Sequence, residues 1–543
     1  MRTRFPILVL AAGLVLVPAR ALAQHAHDHA HPVPEKLGQI HFPTSCKPEV
    51  QKTFERGLAL LHSFAYREAA MAFTDVAAKD PGCAMAHWGV AMSHFHIIWG
   101  PAPEAEFAIG REAARKAWAT GSPTPREKGY IAAIGAFYKG DTTPHPARVA
   151  AFEKAMAEVS SRNPEDHEAA IFHALAILGV AYNSPPDKSY ARQKQAAEIL
   201  NRLLPLEPEH PGIAHYMIHS FDYPELAELA LPAARAYAKI APSAPHALHM
   251  PSHIFTRLGM WQESIESNIA SEQTAQAWIA KSRPGATAFD ALHAMDYLEY
   301  AYLQVGRDDK AREVVDRAAK ATSFDSPELA AGYALAAIPA RYALERRAWT
   351  EAAALQVKPG TYAWDKHPYA EAIVHFARAV GAARAGDLET AGQAEAKLAA
   401  IKTSLEGRKG FDWATQVEVQ RRAAAGWIAH AQKKDDKAIE LLRSAADLED
   451  TSDKHPVSPG SILPAREQLA DLLADLGRPA EALAEYETSL KSAPRRLNTF
   501  DGAARAAERA AQPEKAKGFR DQIAAMCGGS IPSRSEQARA STK

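Results

Sequence analysis

The chain has 543 residues, too many for one compact core, which leaves either several domains or one elongated repeat array. Its 63 Lys and Arg balance 64 Asp and Glu, so charge gives no reason to expect a nucleic-acid or anionic-membrane partner. No Gly-rich phosphate loop, G-x-S-x-G elbow, C-x-x-C pair or H-E-x-x-H motif occurs, and a nucleophilic hydrolase has no support.

Arg2 and Arg4 precede an apolar run over 7–17, and Ala21-Leu22-Ala23 closes it as an A-x-A-like site. This pattern predicts a secretory signal over 1–23, cleaved after Ala23. The run is too short to span a bilayer comfortably and no later run approaches that length. The expectation is an exported protein, periplasmic in a Gram-negative cell, without stable membrane insertion. The mature start reads QHAHDHAHP, in which His25, His27, His29 and His31 alternate with small residues and Asp28. Such a tract gathers metal loosely and cannot build a core, so 24–48 is expected to be disordered.

From Glu49 the pattern becomes helical. Gly57, Ala69, Phe73 and Pro81 follow a small, small, aromatic, Pro scheme, and Ala196/Leu200/Pro208 and Ala230/Ala234/Pro242 repeat parts of it. Leu258-Gly259-Met260-Trp261 marks an inter-helix turn, as do Gly306 with Ala311 and Gly386 with Ala391. Gly477 with Ala482, Tyr486 and Pro494 is the clearest C-terminal unit. The glycine permits a tight turn, the small residue lets two helices approach, and the proline ends the second helix. Pro208/Pro242, Pro211/Pro245, His215/His249 and His219/His253 are each separated by about 34 residues, the period of a helix–turn–helix repeat.

These features resemble the tetratricopeptide repeat family, and its exported bacterial members in particular. The resemblance implies an all-α fold, a right-handed superhelical α-solenoid of helical hairpins with a concave face, and a scaffold that binds a peptide or an envelope protein. The domain reading places an N-terminal array with a His-rich groove at 49–357, a C-terminal array at 358–527 and a disordered tail at 528–543. Stretches 120–146, 282–290, 357–368 and 451–463 are Pro/Gly-rich or polar and read as longer connections. Cys46 and Cys83 each precede the first helix of neighbouring repeats, positions that stacking would bring close. A disulfide there suits an oxidising compartment, and two idle thiols are the alternative.

The chemistry lies in the His-x-x-x-His pairs His215/His219 and His249/His253. With the repeat numbered from Pro211 and Pro245, the pairs occupy positions 5 and 9 of successive first helices. The resemblance implies that these positions face the concave groove. The same frame adds His246, His293, Asp222 and Asp296 to the groove wall. Imidazoles at i and i+4 stand one above the other and can share an ion, and imidazole suits copper, zinc, iron and nickel. The expectation is a copper or zinc ion held by His215, His219, His249, His253, His246 and His293. Asp222 and Asp296 would serve as ligands or as acceptors for imidazole N–H groups. Met217, Met250 and Met295 read as packing groups. The alternatives are a metal-free groove that grips a peptide and a metal-dependent enzyme with an open coordination position. Pro251 disfavours helix at Met250 and threatens the i, i+4 geometry of the second pair.

Overall fold

The computed structural model describes residues 35–140, 142–326, 329–408 and 410–529. The expected signal segment and cleavage site, the His25–His31 tract and most of the C-terminal tail lie outside these residues. The chain from Lys36 onward is an α-solenoid of tetratricopeptide-like hairpins, each helix packed on the next in chain order. Among the described residues the extended contacts amount to one isolated bridge, Thr287 with Phe324.

The predicted small-to-aromatic pairings build the hairpins. A Cβ on Gly57 would lie 3.0 Å from the Phe73 ring, so helix Pro48–His62 sits directly on helix Tyr66–Lys79. In the last clear unit Gly477 takes φ +74° between helices Ala465–Asp475 and Pro479–Ser492, a conformation that costs glycine little. Ala482 and Tyr486 behind it are fully buried.

Four expectations are corrected. Residues 36–46 are extended and packed: Phe42 is fully buried, stacks on Trp88 at 5.9 Å and lies under the Arg126 guanidinium at 4.1 Å. Buried Leu37, backbone hydrogen bonds from Gln39 to Glu209 and from Ser243 to Lys36, and the Cys46 disulfide also hold this segment, for which the composition predicts disorder. The stretch 120–146 contains the helix Pro125–Tyr138, started by Pro125 at its first turn and capped by the Thr124 side chain. No break in packing falls at 357/358. The apolar core instead divides near 255–261, one part built from Leu37 to Phe255 and the other from Trp261 to Ala516.

The fourth correction concerns the groove, which is closed. The loop 451–463 lies across helices Phe289–Gln304 and Leu329–Glu345. Tyr297 Oη donates to the carbonyls of Pro456 (2.9 Å) and Ser458 (3.0 Å), and Arg341 Nη2 donates to that of Gly460 (3.1 Å). Further round, Arg496 is buried among Glu345 (2.7 Å), Glu467 (3.0 Å) and the Tyr300 hydroxyl (2.9 Å). The first helix also reaches the ninth in chain order, Pro211–Phe221, where His62 Nδ1 meets Tyr216 Oη at 2.9 Å. A Cys46–Cys83 disulfide ties neighbouring repeats, with Cα atoms 4.9 Å apart.

Candidate metal centre

The histidines sit where the two parts of the core meet. His215 and His219 lie on helix Pro211–Phe221, begun by Pro211, and face the same way one turn apart. The next repeat is broken as Pro251 requires: helix Pro245–His249 ends, Met250 bridges with φ −53° and ψ −36°, and helix Pro251–Arg257 begins. The chain stays near helical through the break, so His249 and His253 still meet. His293 comes from helix Phe289–Gln304.

The six imidazoles form two groups of three rather than one set around the four paired histidines. In the first, His215, His219 and His246 offer nitrogens within 4.8 Å of one another; His249, His253 and His293 do the same in the second. Nε2 of His215 is 3.1 Å from Nε2 of both His219 and His246. Nε2 of His249 is 3.0 Å from Nε2 of His253, and the His249 and His293 ring centroids are 4.3 Å apart. His246 and His249, one from each group, share a single short helix, with centroids 6.4 Å apart.

Hydrogen bonding fixes the tautomers. Nδ1 of His215 lies 2.6 Å from the His62 carbonyl, which can only accept, so Nδ1 carries the proton and Nε2 is a bare lone pair. Nδ1 of His253 lies 3.0 Å from the Asp222 carboxylate, with the same consequence. Nδ1 of His249 lies 2.7 Å from Oδ1 of Asn268, whose Nδ2 donates to the Ser264 carbonyl at 2.7 Å. Its Nε2 is therefore bare too. Thus the lone pairs of His249 and His253 point at each other across 3.0 Å, an arrangement that repels unless a cation lies between them. His293 Nδ1 is buried and has no hydrogen-bond partner among the described residues.

A proton is a poor candidate for that cation. Burial first, and then the neighbouring imidazoles, hold His215, His219, His246, His249 and His293 well below the ordinary imidazole value. Burial also lowers His253, against the pull of Asp222. The rings are therefore neutral, the form that binds metal.

Neither carboxylate falls in a ligand group. Burial works to raise Asp222, but Lys454, Arg257 and the His253 N–H together hold it well below the carboxylate range. Asp222 takes Arg257 Nε at 2.8 Å and orients His253 from behind. Asp296 is a correction: it is buried against Arg341 from the following repeat, and that ion pair, invisible in the repeat frame, takes it away from the imidazoles. Burial raises it to about 6 despite the guanidinium. Met217 and Met250 belong to the apolar core.

The sequence reasoning missed several contributors. Asn268 reaches His249 from helix Trp261–Ser282, and only the packing of that helix reveals it. Arg257 is four residues after His253 on the same helix face, a spacing that could have been noticed. Phe64 covers the first group, 4.3 Å from His215 and 5.6 Å from both His219 and His246. Tyr237 stacks on His215 at 5.1 Å. A third buried set, His62, Glu168 and His210, lies behind the first group. Glu168 bridges His62 Nε2 (3.0 Å) and His210 Nε2 (2.9 Å), and the His62 carbonyl then fixes His215. His210 immediately precedes Pro211 and so fell one residue outside the repeat frame. Cys46, Asp80 and Cys83 also cluster, but their thiols are joined as the disulfide.

Fold and site together define a helical-repeat protein with two adjoining tri-imidazole groups. No protein-family model and no curated protein matches the chain. Among solved structures it is similar to the human IFIT1 dimer with m7Gppp-AAAA, at 13% identity and TM-score 0.38, covering 82% of this chain and 90% of that one. It is also similar to the APC/C hetero-tetramer Cut9–Hcn1, at 11% identity and TM-score 0.29, covering 90% of this chain and 96% of that one. Naa15/Naa10 bound to HypK-THB gives 13% identity and TM-score 0.24, with 90% of this chain and 74% of that one covered.

Proposed function

We propose that this protein is an exported helical-repeat protein that binds transition metal, one ion in each tri-imidazole group, with copper and zinc the ions best suited. The observation that carries the reading is the pair of bare Nε2 atoms of His249 and His253 at 3.0 Å, each forced into that tautomer by a fixed acceptor on Nδ1. Three neutral nitrogens per ion leave a coordination position open, the pattern of sites that bind a further small ligand. Asp222, Asn268 and the His62 carbonyl hold the rings in register, as outer partners of metal-bound histidines do. Five of the six rings are buried and His246 is partly so, which argues against the alternative in which they grip a peptide.

Metal analysis of the purified protein after dialysis against copper or zinc tests this. One ion per group is expected, with His253→Gln abolishing binding in the second group while circular dichroism stays helical. Absence of tightly held metal, or full retention by a His215→Gln/His253→Gln variant, would refute it.

A scaffold role for a protein partner has its own support in the C-terminal half. A cavity of about 520 Å³ is lined by Arg347 and Arg384, paired with Asp471 and Asp475, by Lys433, Arg505 and Arg509, and by Trp349 and Trp427, and the cations left over suit an acidic partner. Arg384→Glu should abolish any such binding without changing metal content.

A further inference from the structure

The two groups adjoin, and their ligand chemistry says more than that each holds an ion. All six donors are neutral imidazoles. The nearby carboxylates are already committed: Asp222 to Arg257 and His253, Asp296 to Arg341, and Glu168 to His62 and His210. The cations Arg257 and Arg341 are themselves buried beside the site, and Lys454, lowered by burial to about 7, adds only part of a charge. A pair of divalent ions would add four positive charges to this surrounding with no ligand to offset them, and uncompensated buried charge is strongly unfavourable. Monovalent ions halve the burden. Among metals that imidazole favours, copper is the one with a stable monovalent state.

Resting on the metal-binding reading above, we propose that the two groups hold a pair of copper(I) ions that bind one molecule of dioxygen between them. The balance is closed. Each copper gives up one electron, dioxygen takes both, and the resulting peroxide bridges two copper(II) ions. A Cu–O bond forms at each metal, the O–O π bond is lost while its σ bond stays, and no proton moves. The two negative charges of the peroxide match the two positive charges gained by the metals, so the buried charge is the same before and after.

The fold supplies the positions this needs. Helix Pro245–His249 contributes His246 to one ion and His249 to the other, which couples the groups through a single turn. Each ion keeps an open position for one end of a diatomic ligand. Aromatic rings also border the two groups: Phe64 lies over the first group, the Tyr297 ring is 4.8 Å from His249 in the second, and Trp99 stands beside His219 at 6.0 Å. Trp99 is 40% exposed and so marks the approach from solvent for a small apolar molecule.

The test starts with the purified protein loaded anaerobically with copper(I), with excess removed and bound copper counted. Air is then admitted while the near-ultraviolet spectrum and the electron paramagnetic resonance signal are recorded. The expected result is two coppers per chain, a peroxide-to-copper charge-transfer band that appears on oxygenation, and no paramagnetic signal, because bridged copper(II) ions pair their spins. His293→Gln should bind one copper, lose the band and show the paramagnetic signal of an isolated ion. Two coppers that oxidise without the band and with full paramagnetism would overturn the dioxygen inference and leave the metal-binding reading standing. Two zinc ions with no copper uptake would do the same. No bound metal of either kind would overturn both.

Discussion

Asn268 shows how much a single acceptor decides. Its Oδ1 keeps the His249 proton on Nδ1 and so turns Nε2 toward His253. Asn268→Ala removes that constraint and strands a buried N–H, at a cost of about 1–3 kcal/mol to the metal-free fold. It should also weaken metal binding in the second group by roughly 10–100-fold, the usual effect of losing an outer partner of a metal-bound histidine. Chelator competition beside urea unfolding measures both. Unchanged metal affinity in a variant that is destabilised as expected would mean that the tautomer is set by something else. The clustering of the paired histidines was legible because repeat duplication kept His215/His219 and His249/His253 in frame, and the frame also put Asp222 on the same wall. Asp222 does its work differently from the frame's picture. Helix Pro211–Phe221 ends just before it, and the cap conformation, φ −73° and ψ 53°, lets it meet His253 of the next repeat. Asn268 and Lys454 were not legible, since each reaches the site across a contact that no local pattern encodes.

Packing between helices is set by where side chains are absent. Gly89 lies in helix Ala84–Ser93, and a Cβ there would run into the Phe73 ring of the preceding helix. Gly89→Ala should destabilise by about 1–3 kcal/mol, the cost of overpacking a tight contact. Gly135, in helix Pro125–Tyr138, has nothing within 4 Å of the Cβ site. Gly135→Ala should instead stabilise by up to about 1 kcal/mol through helix propensity and a less free unfolded chain. Thermal melts of the two variants should move in opposite directions, and a shared direction would refute this account of the contact. Turn glycines, terminal prolines and Ala/aromatic pairings announce such hairpins plainly. Pro251 announced the break in the second histidine helix as well. Sequence did not reveal that the break would be harmless, because that depends on the backbone angles at Met250.

At the scale of the whole molecule, the sequence pattern supported an array but not its closure: the loop 451–463, read only as a connection, lies on the concave side through the Pro456 and Ser458 carbonyls, the Ser458 hydroxyl and the Lys454 side chain. That loop, with Phe64 and Tyr237 over the first group, encloses the histidines, and their burial sets how the metal-free protein responds to acid. His215, His219, His246, His249, His253 and His293 all titrate lower in the folded protein than the ordinary 6.5, burial being the first cause in each. His62 is lowered by the same cause, and His455 falls to about 3 through burial and the adjacent Lys454. These eight imidazoles therefore bind more protons in the unfolded chain below pH 6.5 and make stability rise with pH in that range, outweighing Asp296, which is raised to about 6 and works the other way. It is at its full value above the unfolded pKa and is lost as pH falls toward the folded values, at about 1.4 kcal/mol per pH unit for each such group. His455 alone should cost about 2 kcal/mol at pH 5. Urea midpoints of the metal-free protein should drop steeply between pH 7.5 and pH 5.5, in steps too large for surface charge, and His455→Asn should make the dependence shallower. Stability that held level or increased on acidification would mean that these rings are charged when folded, and the tautomer argument for the metal centre would go with it.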